Sequence, residues 1–427
     1  MSATAASPEP ASPKSWLWLA LLVLATISAS LSLYCVDGLV DPVRRSQGFS
    51  DLQMSFILGW AYVGVFALAS LPAGWLVDHG SRRRILLAGA LLWGSGAVVS
   101  ALAHAYGPFC LGRGMAGLGR AAMTPAAMSI LADSFPTRLR ARVFGVLLAA
   151  DGMGPGVGLT AAGSLLGLFS RAGGGAHTAE AWRAAMLCCA APAFLVAGLL
   201  LFMPEPPRQT APEPAAIAYG GARFWPPLAV TLLAIGAVFL SDGAQLSWSA
   251  AALVREHAVA PADAARYAGY VFIFCGAAAP LAAGTLADLL YKRHGIPGRL
   301  VVALAAVALL IPLQCFYGVK TAAEMLTVLL GTGFTVVTGE VVGAAVLQDI
   351  APDHRRGLAA AANSLCAAMA IGLGTTGVAV TARWRATSPH PILEAMSWVT
   401  VPASTLSLLV FFALWMTVSR SRRTQPA

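Results

Sequence analysis

Long apolar runs alternate along the chain with short polar stretches in which Arg, Lys, Asp, Gly and Pro gather. About 20 predominantly apolar residues suffice for one helical crossing of a bilayer. Twelve runs meet that length, near 16–37, 53–77, 85–104, 108–132, 141–168, 183–203, 226–248, 266–287, 300–317, 322–347, 357–381 and 394–418. The widest polar interval, PEPPRQTAPEPAAIAYGGARF (204–224), is rich in Pro and Gly and reads as a linker. The pattern therefore predicts an all-α polytopic membrane protein with twelve transmembrane helices in two six-helix halves. A tail (1–15) precedes the first half (16–203), and the second half (225–418) is followed by a tail at 419–427.

Composition supports this organisation. Only 11% of the 427 residues are charged, where a soluble domain carries about 25%, and 58% are hydrophobic. The mean hydropathy is +0.72. The net charge of +9 does not point to nucleic acid, because the basic residues sit in short clusters between apolar runs. The run from Trp16 is too long for the apolar part of a signal peptide and reads as the first span. Seven cysteines lie in or beside apolar segments with no paired or metal-binding spacing, so they read as packing residues. No nucleotide loop, metal cluster or catalytic triad is present, so neither enzyme nor cofactor is expected. DGMGPGVG (151–158) lacks the Lys-Ser/Thr of a phosphate loop and reads as a bend in the fifth span.

With the N-terminus inside, most of the 28 Lys and Arg fall in inside segments, which places both termini in the cytoplasm. The halves also repeat. GWLVDHGSRRR (74–84) follows the second span and GTLADLLYKRHG (284–295) the eighth. Gly74 and Asp78 match Gly284 and Asp288, while Arg82 and Arg83 match Lys292 and Arg293. DSFPTRLR (133–140) resembles DIAPDHRR (349–356), aligning Asp133 with Asp349 and Arg140 with Arg356. Two halves related by an internal repeat form a transporter architecture.

At these residues the chain resembles the major facilitator superfamily, with His79 and Ser81 departing from its usual signature after the second span. In that fold Gly74 and Gly284 would allow close helix contact. Asp78, Arg82, Arg83, Asp133, Arg140, Asp288, Lys292 and Arg293 would form ionic latches that hold the halves together on the inside. RGMAGLGRAAMTPAAMSILADSFPTRLRAR and WSAAALVREHAVAPADAARYAGYVF are similar to bacterial Spinster-like members. That resemblance implies movement of lipid-like amphipaths by a monomeric inner-membrane transporter linked to protons.

Charged residues inside a span are costly and mark function. The fold implied by the resemblance lines its cavity with spans one, four, seven and ten, which carry Asp37, Arg113, Arg120, Asp242 with Gln245, and Glu340; Asp151 lies in span five. Arg113 and Arg120 are seven residues apart, on one face of a helix, with Arg120 roughly 10 Å deeper. Depth allows the pairs Asp37–Arg113 and Arg120–Asp151. Gln53, Asn363, Tyr34, Trp60 and Tyr62 are further residues that could line the cavity, although packing explains most such side chains. Spinster-like relatives carry an acid where this chain has Arg120. Proton carriage would then pass to Asp37, with Asp151 as a substitute, because arginine stays charged. Two substrate classes follow: a lipid-like amphipath, or an organic anion clamped by Arg113 and Arg120. A transporter-fold sensor is a distant third.

Overall fold

In a computed structural model, residues 13–172, 180–208, 225–351 and 356–423 are described, and all regular structure among them is helical. The first twelve residues of the expected N-terminal tail, linker residues 209–224, Arg355 and residues 424–427 of the C-terminal tail lie outside them.

Span one is α1 (Pro13–Gly38), followed by a short helix, α2 (Val40–Gln47), that lies outside the apolar runs. Span two is α3 (Asp51–Leu58) with α4 (Trp60–His79), and span three is α5 (Arg82–Leu102). Span four is α6 (Tyr106–Ala121) with α7 (Met123–Ser134). Span five is α8 (Thr137–Gly152) with α9 (Gly154–Ala172), and span six is α10 (Ala181–Phe202). The second half runs α11 (Trp225–Glu256), α12 (Pro261–His294), α13 (Ile296–Leu313), α14 (Ala322–Ile350), α15 (Arg356–Trp384) and α16 (Pro391–Arg423).

Ten described helices are long and apolar enough to cross a membrane, eleven if the bent pair in span five counts as one. Span four is missing from that count because a break at Ala122 leaves pieces of 16 and 12 residues. The cause is local. Pro125 has no N–H to offer the carbonyl of Ala121, and its ring crowds that turn. Pro155 does the same to Asp151, and span five bends by 42° at Met153. Continuous spans were expected here, apart from the bend in span five.

Two apolar cores belong almost wholly to one half each, and a third, larger one takes residues from both halves. The halves meet along two seams. In one, α9 lies against α12 with backbones nearly touching: a Cβ on Gly156 would fall 2.2 Å from Ile273 N, and one on Gly163 would fall 2.4 Å from Ala262 O. In the other, Gly59 faces Gly372 of α15, and Trp60 Nε1 donates to Thr376 Oγ1 at 3.1 Å. Both seams lie toward the end of the molecule opposite the chain termini. Toward the termini the picture reverses, since Cβ atoms built on Gly74 or Gly284 would meet nothing within 4 Å. These glycines were expected to make close helix contacts; the structure corrects that, because the halves part on this side. The result is a cleft open at the termini end and closed at the far end.

Candidate functional site

The cleft's charged wall is built around span four. On α6 the small residues are spent on packing. A Cβ on Gly117 would lie 2.5 Å from Tyr62 O of α4, and one on Gly119 would lie 2.6 Å from Gly89 O of α5. Backbones this close leave no room for side chains on those faces. The remaining face points Arg113 and Arg120 toward α1, and both are buried.

The two arginines are held differently. Arg120 Nη2 donates to Asp151, while its Nη1 lies 3.5 Å from Ser30 Oγ. The Arg120 side chain is 10% exposed and that of Asp151 46%, so the carboxylate is the open side of the pair. Arg113 Nε donates to Ile57 O at 3.1 Å and Nη1 to Leu33 O at 2.9 Å, with Tyr62 stacked 5.3 Å from the guanidinium. Ile57 stands just before the break at Gly59, where helical pairing is interrupted. Arg113 Nη2 is buried without a hydrogen-bond partner among the described residues.

The structure thus brings Arg120 and Asp151 together but not Arg113 and Asp37. Among the described residues Asp37 makes no ion pair; it is buried near Ser247 of α11, and Arg113 acts on it only through space. The physical reason is that Arg113 is already occupied by two carbonyls, Ile57 O just before the break at Gly59 and Leu33 O within α1. Asp242 and Glu340 stand on adjoining α11 and α14, with no cation in contact among the described residues, and Glu340 Oε1 has no hydrogen-bond partner among them. Among the described residues Gln245 is buried with Nε2 unpartnered, and Asn363 likewise keeps a buried unpartnered Oδ1. Gln53 instead caps α3: its Oε1 accepts from Ser50 N at 2.9 Å, as a capping box requires. Trp60 belongs to the seam between halves.

At the termini end, Arg82 is fully buried and gathers one corner. Its Nη1 donates to Asp133 and to Ser129 Oγ, its Nη2 to Pro206 O at 2.7 Å, and its backbone N to Glu205 Oε1 at 2.9 Å. Ser81 also donates to Glu205. Burial pushes the Glu205 carboxyl up, but the Ser81 and Arg82 hydrogen bonds outweigh it and hold the group below its ordinary value of 4.5. Arg83 ties down the carbonyls of Leu201 and Met203, Arg140 that of Phe135, and Arg208 those of Val77, Asp78 and Gly80.

Every one of these bonds lies within the first half and its exit segment. In the second half, Arg299 donates to Asp288 at 2.9 Å and to Asp349 at 2.7 Å. Latches across the halves were expected here; instead each cluster staples its own half, as an open end requires. The Asp78 carboxylate is exposed and makes no ion pair among the described residues. Arg299, four residues into the helix after the loop, takes the place that the repeat assigned to Lys292 and Arg293, which are exposed. Aligning loop residues alone missed it.

The far end holds a cluster that sequence reasoning passed over. Arg255, on the last turn of α11, donates to Asp41 Oδ1 at 2.7 Å and to Asp51 Oδ1 at 2.9 Å, joining the two halves. Only the i,i+3 spacing of Asp41 and Arg44 hinted at an ordered helix there.

Two six-helix halves around a cleft closed at one end and lined by buried charge define a multi-pass membrane transporter, not an enzyme. Residues 22–375 match the model of the Major Facilitator Superfamily, and the chain belongs to that family. It is 31% identical over 165 residues to the puromycin resistance protein pur8 of Streptomyces alboniger, covering 38% of this chain. It is 28% identical over 229 residues to protein spinster homolog 3 of Homo sapiens, covering 51% of this chain. The matched stretches span 32% and 42% of those relatives' own lengths. In fold it superposes on a bacterial homolog to the human lysosomal transporter Spinster, in an inward-facing and unoccupied conformation. The TM-score is 0.79 at 19% identity, covering 98% of this chain and 100% of that one.

Proposed function

We propose that the protein moves an amphipathic small molecule with an anionic group across a bacterial inner membrane by alternating access, driven by a proton gradient. Both termini face the cytoplasm, so the conformation described here is inward-open. The lipid-like cargo is the one that the resemblance to Spinster-like members implies, and the similarity to spinster homolog 3 agrees with that resemblance. The observation that carries the anionic group is the Arg120–Asp151 pair, whose carboxylate is the open side while its guanidinium stays buried. An incoming carboxylate or phosphate exchanges for Asp151 on Arg120, and Arg113 offers its spare Nη2 nearby. Arg120 is a fixed cation and carries no proton. The coupling proton goes to a carboxylate without a cation in contact, and Asp37 is that group on the N-terminal side. Asp242 and Glu340 form the opposite wall and face the cargo's other end.

Exchange of a labelled single-chain anionic amphipath across proteoliposomes, with no gradient, tests the reading. Exchange is expected in the wild type, with a fall of at least about tenfold in Arg120→Gln, the lower bound for loss of one charge-assisted contact of about 1.5–3 kcal/mol. Exchange untouched by Arg120→Gln would remove the anionic handle. A compact organic anion is the second reading, favoured by the two arginines alone; it requires hydrophilic anions to compete with the amphipath. A transporter-fold sensor would bind such a molecule and never exchange it.

A further inference from the structure

We propose that Arg255 and Arg44 trade the same two carboxylates, Asp41 and Asp51, as the far end of the cleft closes and opens. In the closed arrangement Arg255 is the principal partner: Nε reaches Asp41 Oδ1 at 2.7 Å, and Nη1 reaches Asp51 Oδ1 and Oδ2 at 2.9 and 3.0 Å. Arg44 waits beside them. Its Nε is buried, lies 3.7 Å from Asp41 Oδ1 and 3.7 Å from Asp51 Oδ1, and has no hydrogen-bond partner among the described residues.

Which cation moves is fixed by the element that carries it. Asp41 and Arg44 sit on α2, and Asp51 opens α3, all in the first half. Arg255 belongs to the second half and is fastened there. The neighbouring Glu256 accepts the backbone N–H groups of Ile392 and Leu393 at the start of α16, and Trp248 lies 5.9 Å from the Arg255 guanidinium. When the halves separate at this end, Arg255 must leave both carboxylates at once.

Asp41 cannot be abandoned cheaply, because its side chain is only 1% exposed and an unpaired buried charge is strongly destabilising. Arg44 removes that cost. A shift of about 1 Å takes it from 3.7 Å to hydrogen-bonding distance of either acid. The carboxylates stay neutralised in both states, and the barrier to opening falls.

The two arginines therefore act in opposite directions, which a structural role in one state alone would not produce. The proposal rests on alternating access between the halves and on no particular cargo. Ala265 supplies the reporter: it is fully buried and packs against Gly38 across the seam near this end. In full-length protein with the seven native cysteines replaced and Ala265→Cys introduced, the rate of labelling by a membrane-impermeant maleimide reports opening.

Arg255→Gln is expected to raise that rate about tenfold and Arg44→Gln to lower it about threefold, modest factors because the pair is partly solvated. Asp51→Asn, which removes a partly exposed carboxylate, raises it about threefold and guards against misfolding of the Arg255 variant. An unchanged rate in both Arg255→Gln and Asp51→Asn would overturn the lock. An unchanged or raised rate in Arg44→Gln would overturn the exchange. Labelling that behaves as expected beside absent amphipath exchange would overturn the cargo and leave this device standing.

Discussion

Replacing Asp151 by Asn isolates the Arg120–Asp151 pair without changing its volume. The guanidinium stays in place with its side chain 10% exposed, while its partner, 46% exposed, loses its charge. A fully exposed pair contributes about 0–1 kcal/mol. Losing one partner of a fully buried pair costs about 3–5 kcal/mol. One member here is buried and the other half-exposed, which places the loss near 2 kcal/mol by interpolation between those bounds. Thermal unfolding in detergent reads it as a fall of roughly 2 °C, at an unfolding entropy of about 2.1 cal/mol/K per residue. The double variant Arg120→Gln/Asp151→Asn should recover most of that loss, because no charge is then stranded. An added anionic amphipath should rescue Asp151→Asn, by supplying the missing counter-charge, and leave Arg120→Gln unaffected. Full additivity of the two substitutions, with no rescue by the anion, would refute the pair as the handle.

The packing of the two seams makes a contrast between glycines. Gly156→Leu, whose Cβ would start 2.2 Å from Ile273 N, should cost at least about 1–3 kcal/mol and cripple transport. Gly74→Leu meets open space here, so thermal stability should hold within about 0.5 kcal/mol. Its transport should nevertheless fall, since this end must close in the opposite state; unimpaired transport would contradict that. Glu205 gives a pH signature. Its folded-state pKa lies below the ordinary 4.5, so its contribution is complete above that value and is lost as pH falls through it toward the folded value. The stability gap between wild type and Glu205→Gln should therefore be constant from about pH 6 upward and shrink below pH 4.5. A gap that widens on acidification would refute the assignment.

The spans were legible because a bilayer crossing demands a length of apolar chain that local sequence displays. The same pattern could not show the breaks in spans two and four, although Pro125 was visible, because tolerance of Pro inside a span depends on neighbouring helices. Arg120 and Asp151 could be matched by depth, since helical rise converts residue number to height. Depth alone also matched Asp37 with Arg113. It failed there because the carbonyls of Leu33 and Ile57 claim Arg113 first. The role of Arg299 was hidden by loop alignment. Arg82 is the first residue of its helix and Arg299 the fourth of its own, so both stand on a first turn but no fixed offset links them. The far-end cluster joins residues more than 200 positions apart through a short helix outside every apolar run, and no local signal reports such a meeting.

The central claim is that this cleft couples a proton gradient to movement of an anionic amphipath. Net uptake of that amphipath into proteoliposomes, with and without an imposed pH gradient, tests it most directly when wild type is compared with Asp37→Asn. Accumulation that follows the gradient in the wild type, and exchange without accumulation in Asp37→Asn, is the expected result. Equal accumulation with and without the gradient, or an Asp37→Asn variant that accumulates as the wild type does, would contradict it.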